Sequence, residues 1–321
     1  MSVKLFITID TEEDLWGEFK RKDNPVENVN RIPILQDLFN RYKAIPTYLV
    51  NYPVVTNTCS LQILKKINDS YQCEIGTHCH PWNTPPFEEK INRYNSMLCN
   101  LSYNLQYKKI KTIHDKITQG FGMEPKCFRA GRWGFNTNTA HCLNKLNYTI
   151  DSSVSPFSNW KKEKGADYYL APFNIYKFDP ENILIKKTDG SLLEVPPTIG
   201  FFQKNFKRSL LIRKWILETK LSKLRLIGIL NKLRLNNFHW LSPELSNADE
   251  MMLLAKTFIK KKISYLNLTF HSTSLLPGKS PFVQTNADLD KFLGTIETFL
   301  KFAQNNNIEF APLSDAQKLS I

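Results

Sequence analysis

Short β-branched and aromatic runs recur along this chain of 321 residues, each followed by a stretch with the period of a helix. Residues 3–9, 46–50, 74–80, 125–129 and 148–151 read as strands, and 30–42, 61–67, 87–119 and 136–146 as the helices between them. Further along, 192–196, 265–270 and 308–310 have strand character, with helical periods at 248–262 and 288–305. Alternation through roughly seven such units predicts a parallel β/α barrel, a fold that gathers functional groups at the C-terminal ends of its strands.

Chemistry-bearing side chains stand where that rule places them. Asp10, His78, His80, Arg129, Asp151 and His271 each fall at or just past the end of an expected strand. On a strand alternate residues share a face, so His78 and His80 project together and can close on one divalent ion before Pro81 stops the strand. Two imidazoles leave room for a third protein ligand and a water, as in hydrolytic zinc sites. The run Asp10-Thr11-Glu12-Glu13-Asp14 offers carboxylates that repel one another, a cluster tolerable where a cation or a rim of bases offsets it or where it lies in a solvated loop or helix N-terminus. An ion held this way polarises a carbonyl and acidifies water; hydrolysis then needs a base and an acid, for which Asp10 and His271 are the candidates. Arg129 would hold the base ionised. Singly, each of these residues also reads as an ordinary strand-end or loop group; the case rests on their joint placement.

A chain with 42% hydrophobic residues can bury a large core, and residues 1–321 are expected to form a single domain. The N-terminal apolar run is too short for a signal-peptide core, no run has transmembrane length, and the six cysteines form no CxxC pair. A cytoplasmic protein is expected.

The net charge of +13 is concentrated. Residues 204–234, from Lys204 to Arg234, hold ten of the Lys and Arg residues against one acid, Glu218, within a basic helical insertion at 204–236 that sets Leu217, Leu221 and Leu224 on one stripe. Two readings stay open: a barrel helix with a solvated basic face, or peripheral docking on an anionic membrane surface. Nucleic acid is not an expected partner, since the segment has a single aromatic, Trp215, in its central helix and no recognisable RNA or DNA module.

Taken together, Ile9-Asp10-Thr11-Glu12, Glu74-Ile75-Gly76-Thr77-His78-Cys79-His80, Phe128-Arg129-Ala130-Gly131-Arg132 and Leu268-Thr269-Phe270-His271-Ser272 resemble, in order, the motifs of the polysaccharide deacetylase (NodB-homology) superfamily, in a divergent bacterial branch. The resemblance covers nearly the whole chain. It implies a distorted parallel (β/α)7-type barrel, with Asp10 as base, Glu12, His78 and His80 as ligands of a divalent metal such as zinc, Arg129 beside the base and His271 as acid. Asp151 stands where the family often places a carboxylate that contacts the acid histidine. The histidines are two apart here, whereas the family's are usually four apart.

The implied activity is metal-dependent removal of an acyl group, N-acetyl above all, from an amino sugar of a cell-surface glycan or its lipid-linked precursor. Trp82, Trp133 and Phe135, beside the motifs, are candidates to stack on sugar rings. Two alternatives remain: hydrolysis of non-sugar C–N bonds, as in small cyclic amides, and a catalytically inactive carbohydrate-binding relative.

Overall fold

The computed structural model describes residues 2–70, 72–219 and 226–319. In chain order the elements are β1 (Lys4–Thr11), α1 (Ile32–Arg41), β2 (Thr47–Val50), α2 (Tyr52–Thr56), α3 (Thr58–Asp69), β3 (Glu74–Cys79), α4 (Tyr103–Phe121), β4 (Cys127–Ala130), α5 (Thr137–Lys145) and β5 (Ile150–Asp151). There follow β6 (Tyr176–Phe178), β7 (Leu192–Glu194), β8 (Ile199–Phe201), α6 (Phe206–Glu218), α7 (Leu226–Lys232), β9 (Phe238–Trp240), α8 (Ala248–Lys260), β10 (Tyr265–His271), α9 (Asn286–Asn305) and β11 (Glu309–Phe310).

Seven strands run parallel in the order β10-β1-β2-β3-β4-β5-β7. β6 lies antiparallel on the outer edge of β7, and β11 pairs with the start of β1. Every residue of β1 after Lys4 is buried, as in a strand covered on both faces. The sheet curls into an incomplete barrel, the distorted (β/α)7-type architecture expected from the sequence. Among the described residues no strand pair joins β7 to β10. Single backbone bonds cross there instead: Thr198 N donates to Asn267 O (3.0 Å), Leu241 N to Thr198 O (2.8 Å) and Thr269 N to Leu241 O (3.1 Å).

Polar caps start the helices: the Ser102 hydroxyl accepts from Leu105 N at α4, Asn136 from Thr139 N at α5, and Asn247 and Glu250 form a reciprocal capping box at α8. Of the helix or helix pair expected over 87–119, one α-helix forms and it begins only at Tyr103. The preceding stretch is tied down as a loop because its polar side chains bond backbone that a helix would need: Asn92 Oδ1 accepts from Asn95 N (2.8 Å), and Asn100 Nδ2 donates to Tyr94 O (2.9 Å). The buried Lys109 ammonium fastens this loop to α4, donating to the carbonyls of Pro81, Thr84 and Pro86 at 2.7–2.8 Å.

Helices α6 and α7 lie between the two strands of the antiparallel β8–β9 ribbon. Of the leucine stripe expected there, Leu221 and Leu224 lie outside the described residues and Leu217 is exposed. No helix of the described residues is long and apolar enough to cross a membrane.

Candidate active site

Strand register brings the expected residues together. Asp10 stands opposite His271 in the β1–β10 pair, and His78 opposite Arg129 in the β3–β4 pair. Asp10 and Glu12, like His78 and His80, are two apart at a strand end and so project to one side, into a cavity of about 700 Å³.

Glu12, His78 and His80 form one buried group able to hold a metal ion. Glu12 Oε2 lies 3.4 Å from His78 Nε2 and 3.2 Å from His80 Nε2, and the two imidazole nitrogens are 2.9 Å apart. Ligands at 2.0–2.1 Å around a four-coordinate ion stand roughly 3.3 Å from one another, so the set fits such an ion. Both rings are oriented for it. His78 Nδ1 is 3.1 Å from the Arg129 carbonyl and His80 Nδ1 is 3.1 Å from the Glu13 carboxylate, contacts that place a proton on each Nδ1 and leave each Nε2 free to ligate. Glu13 is itself held by Trp82 Nε1 (3.1 Å) and Asn51 Nδ2. The three neighbouring acids therefore divide their roles: Glu12 joins the imidazoles, Glu13 orients His80, and Asp14 accepts from the backbone N–H groups of Glu27 (2.8 Å) and Asn28 (3.1 Å). Gly131 makes room for the second histidine, since a Cβ there would stand 2.4 Å from His80 Cδ2.

Burial raises the pKa of Glu12, but the imidazoles of His271, His78 and His80 outweigh it and hold the carboxyl well below its ordinary value. Burial likewise opposes a charge on His80, and Glu13 and Glu12 overcome this, pushing it up to about 10; an ion taking Nε2 would displace the proton held there, while Nδ1 keeps its own on Glu13. Cys79, between the histidines, is buried on the opposite side and its thiol is pushed up to about 12 by that burial.

Arg129 is fully buried and every guanidinium N–H is used. Nη1 donates to Asp10 Oδ1 (2.7 Å) and Thr269 Oγ1 (2.8 Å), Nη2 to Thr8 Oγ1 and Ser152 Oγ (both 2.8 Å), and Nε to Ser152 O (2.9 Å). Burial alone would raise the Asp10 pKa; Arg129, His78 and His271 together lower it below the ordinary value, so Asp10 is an ionised carboxylate at neutral pH.

His271 Nε2 lies 3.8 Å from Asp10 Oδ2, and its Nδ1 lies 2.9 Å from Glu244 Oε2. Glu244 also accepts from the His271 backbone N–H (3.1 Å) and from Ser274 Oγ (2.5 Å). Burial disfavours the imidazolium, but Glu244 and Glu12 dominate and push His271 up to about 9. A group with a raised pKa keeps its proton until the pH climbs through that value. The alkaline limb of a pH–rate profile should accordingly fall at or below about pH 9, and in Glu244→Gln it should move toward the ordinary histidine value near 6.5 or lower. A limb that stays in place in that variant would detach His271 from the proton transfer.

Asp151 is not the carboxylate on His271. It lies on β5, opposite Glu194 of β7, and accepts from Ser153 Oγ (2.6 Å) and Ser153 N (3.1 Å). Burial pushes both carboxyls up, and the neighbouring charge of Asp151 carries Glu194 well above its ordinary value. Glu244, in the irregular segment after β9, was absent from the sequence expectation because nothing in its surroundings has a period or a motif.

Five of the six tryptophans, Trp16, Trp82, Trp133, Trp160 and Trp240, line the cavity. Trp16 sets its edge against His271 with ring centroids 4.7 Å apart, while Trp82 stacks on His80 at 4.1 Å. Phe135, expected beside them, is instead fully buried against Phe178 in the core. Arg132 and Arg93 reach the rim and share the carboxylate of Glu163.

No family model matches the sequence, and no curated protein is similar to it at a significant level. Solved structures do align over its length. A Mycobacterium smegmatis protein assigned as a polysaccharide deacetylase aligns with 100% of this chain and 93% of its own, at a TM-score of 0.54 and 13% identity. A Parabacteroides distasonis protein assigned as a glycoside hydrolase/deacetylase aligns with 98% of this chain and 70% of its own, at a TM-score of 0.63 and 8% identity. The fold is that of the polysaccharide deacetylases, on a sequence far diverged from both. At these identities the likeness is one of architecture.

Proposed function

We propose that this chain is a metal-dependent carbohydrate deacetylase, with zinc as its ion, that removes an N-acetyl group from an amino sugar of a cell-surface glycan or its lipid-linked precursor. The observation that carries the reading is the meeting of three groups in one tryptophan-lined cavity: the Glu12–His78–His80 set, the Asp10–Arg129 pair and the His271–Glu244 pair. A divalent ion, when bound to the first, supplies Lewis-acid charge that polarises the acyl carbonyl and acidifies water.

The chain's own groups do the rest. Asp10, kept ionised by Arg129, takes a proton from the attacking water as its oxygen bonds to the acyl carbon. His271, kept charged by Glu244 on Nδ1, presents Nε2 and gives its proton to the sugar nitrogen as the C–N bond breaks, releasing acetate and a free amine. Tryptophan faces around these groups suit the apolar faces of a sugar ring and exclude water. The six cysteines are free, which supports placement in a reducing compartment, the cytoplasm.

The decisive experiment offers N-acetylated amino sugars, free and lipid-linked, beside a panel of small cyclic amides, and reads released acetate and ring-opened product. Acetate from sugars alone is expected. Turnover of cyclic amides alone, or of nothing by protein with stoichiometric metal, would sink the proposal.

A further inference from the structure

The sixth tryptophan stands apart from the others, 59% exposed on α6. That helix already packs Phe206, Leu210 and Ile216 inward, yet its opposite side shows Arg208, Leu211, Ile212 and Trp215 at helical spacing. An amphipathic surface helix should be polar on its outer face, and this one is not. Helix α7 buries no residue at all among those described, although Leu226, Ile227, Ile229 and Leu230 make up most of it. Past its end Leu233 and Leu235 are 61% and 60% exposed.

The two helices that carry these side chains are joined. Asn236 Nδ2 donates to Ser209 O and Gln203 Nε2 to Arg234 O, both at 2.9 Å, which lays the exit of α7 along the first turns of α6. Lys261 Nζ donates to Lys204 O (2.7 Å), bringing Lys260, Lys261 and Lys262 at the end of α8 to the same place. Exposed cations at 204, 207, 208, 232, 234, 260 and 262 thus lie on segments adjacent to those that expose Leu, Ile and Trp, and the one acid of residues 204–234, Glu218, lies near Lys214 (3.8 Å).

We propose that the insertion formed by α6 and α7 docks on the surface of an anionic lipid bilayer, Trp215 and the exposed leucines entering the headgroup boundary and the lysines and arginines meeting lipid phosphates. Exposed large apolar side chains grouped on two neighbouring helices call for a covering partner. A second copy of the chain would bring like charge against like charge. A polynucleotide would satisfy the cations but leave the aliphatic residues without an apolar phase. An anionic lipid surface satisfies both. β9 carries the chain from this surface, at Asn237, directly to Trp240 in the cavity wall, so docking would set the site close to a substrate anchored in the bilayer. The surface itself rests on geometry independent of the catalytic reading.

The test is co-sedimentation of the purified chain with vesicles of phosphatidylglycerol and phosphatidylcholine mixed equally, against phosphatidylcholine alone, at low and high salt. Binding is expected with the anionic vesicles only, and should weaken steeply with salt. Lys207→Gln with Arg208→Gln should weaken it at least tenfold, at roughly fivefold per cation, and Trp215→Ser with Leu233→Ser should also release the chain; unchanged thermal melting shows that both pairs fold. No anionic binding, equal binding to both vesicle types, or binding that survives either pair overturns the proposal. So does a chain that ignores vesicles and is dimeric by light scattering until Trp215 is changed, or one that binds RNA instead. No arm requires turnover, so its outcome is separate from that of the deacetylase assay.

Discussion

Asp10→Asn is expected to keep its fold and its metal and to lose between about 10²- and 10⁴-fold in kcat, the range for a positioned general base. The fold should survive because an amide oxygen can still accept from Arg129 Nη1, which now bonds Asp10 at 2.7 Å, and the guanidinium keeps its other partners. The metal should stay because Asp10 is not among the converging ligand atoms. What is lost is the one ionised carboxylate placed beside both the ligand set and His271. Steady-state acetate release read together with elemental analysis decides the matter: a loss smaller than about tenfold at full metal content would remove Asp10 from the base role. Arg129 is the poorer residue to change for this purpose. Taking it away would break five buried hydrogen bonds at once, whereas Asp10→Asn leaves each of those donors an acceptor, so a loss of stability would be confused with one of catalysis.

His78→Ala is expected to strip the metal and with it at least about 10³-fold in rate, since Lewis-acid stabilisation supplies several kcal/mol of the barrier reduction. Two donors cannot replace three in a site whose nitrogens and carboxylate oxygen are spaced 2.9–3.4 Å apart. Glu13→Gln should have a graded effect. It removes the carboxylate that fixes the His80 tautomer, a change that ordinarily costs 10- to 100-fold in metal affinity. Dialysis against a chelator, then titration with zinc followed by elemental analysis, measures both. Stoichiometric metal in His78→Ala, or chelator-treated protein with undiminished turnover, would refute the ligand assignment.

Much of this site was legible in the sequence because strand geometry is local. A residue at a strand end points by alternation, and parallel strands end at one rim, so Asp10, His78, His80, Arg129 and His271 could each be placed from a few neighbours, whereas Glu12 was singled out from Glu13 and Asp14 only by the family resemblance. The limits appear where side chains compete with periodicity. Residues 87–102 have helical spacing, yet Asn92 and Asn100 bond the backbone as turns and the helix waits for the Ser102 cap.

Partnerships between distant strands were decided by tertiary structure alone. Asp151 and Glu244 are both acids near a strand end, and nothing local tells which one meets His271. Closure of the barrel decides it: Leu241 bridges Thr198 and Thr269 by backbone hydrogen bonds, which sets Glu244 against the end of β10, whereas Asp151 sits on the far side of the sheet and pairs with Glu194. The tryptophans divide by the same rule. Spread from residue 16 to residue 240, five are gathered on one cavity by the curl of the sheet, and Trp215 is left outside on α6, which also leaves Leu211, Ile212 and Leu217 exposed. The identity of each chemical group, and the rim it occupies, follow from the sequence through the two-residue period of a strand; which groups touch follows from how the sheet closes, and closure is a property of the whole chain.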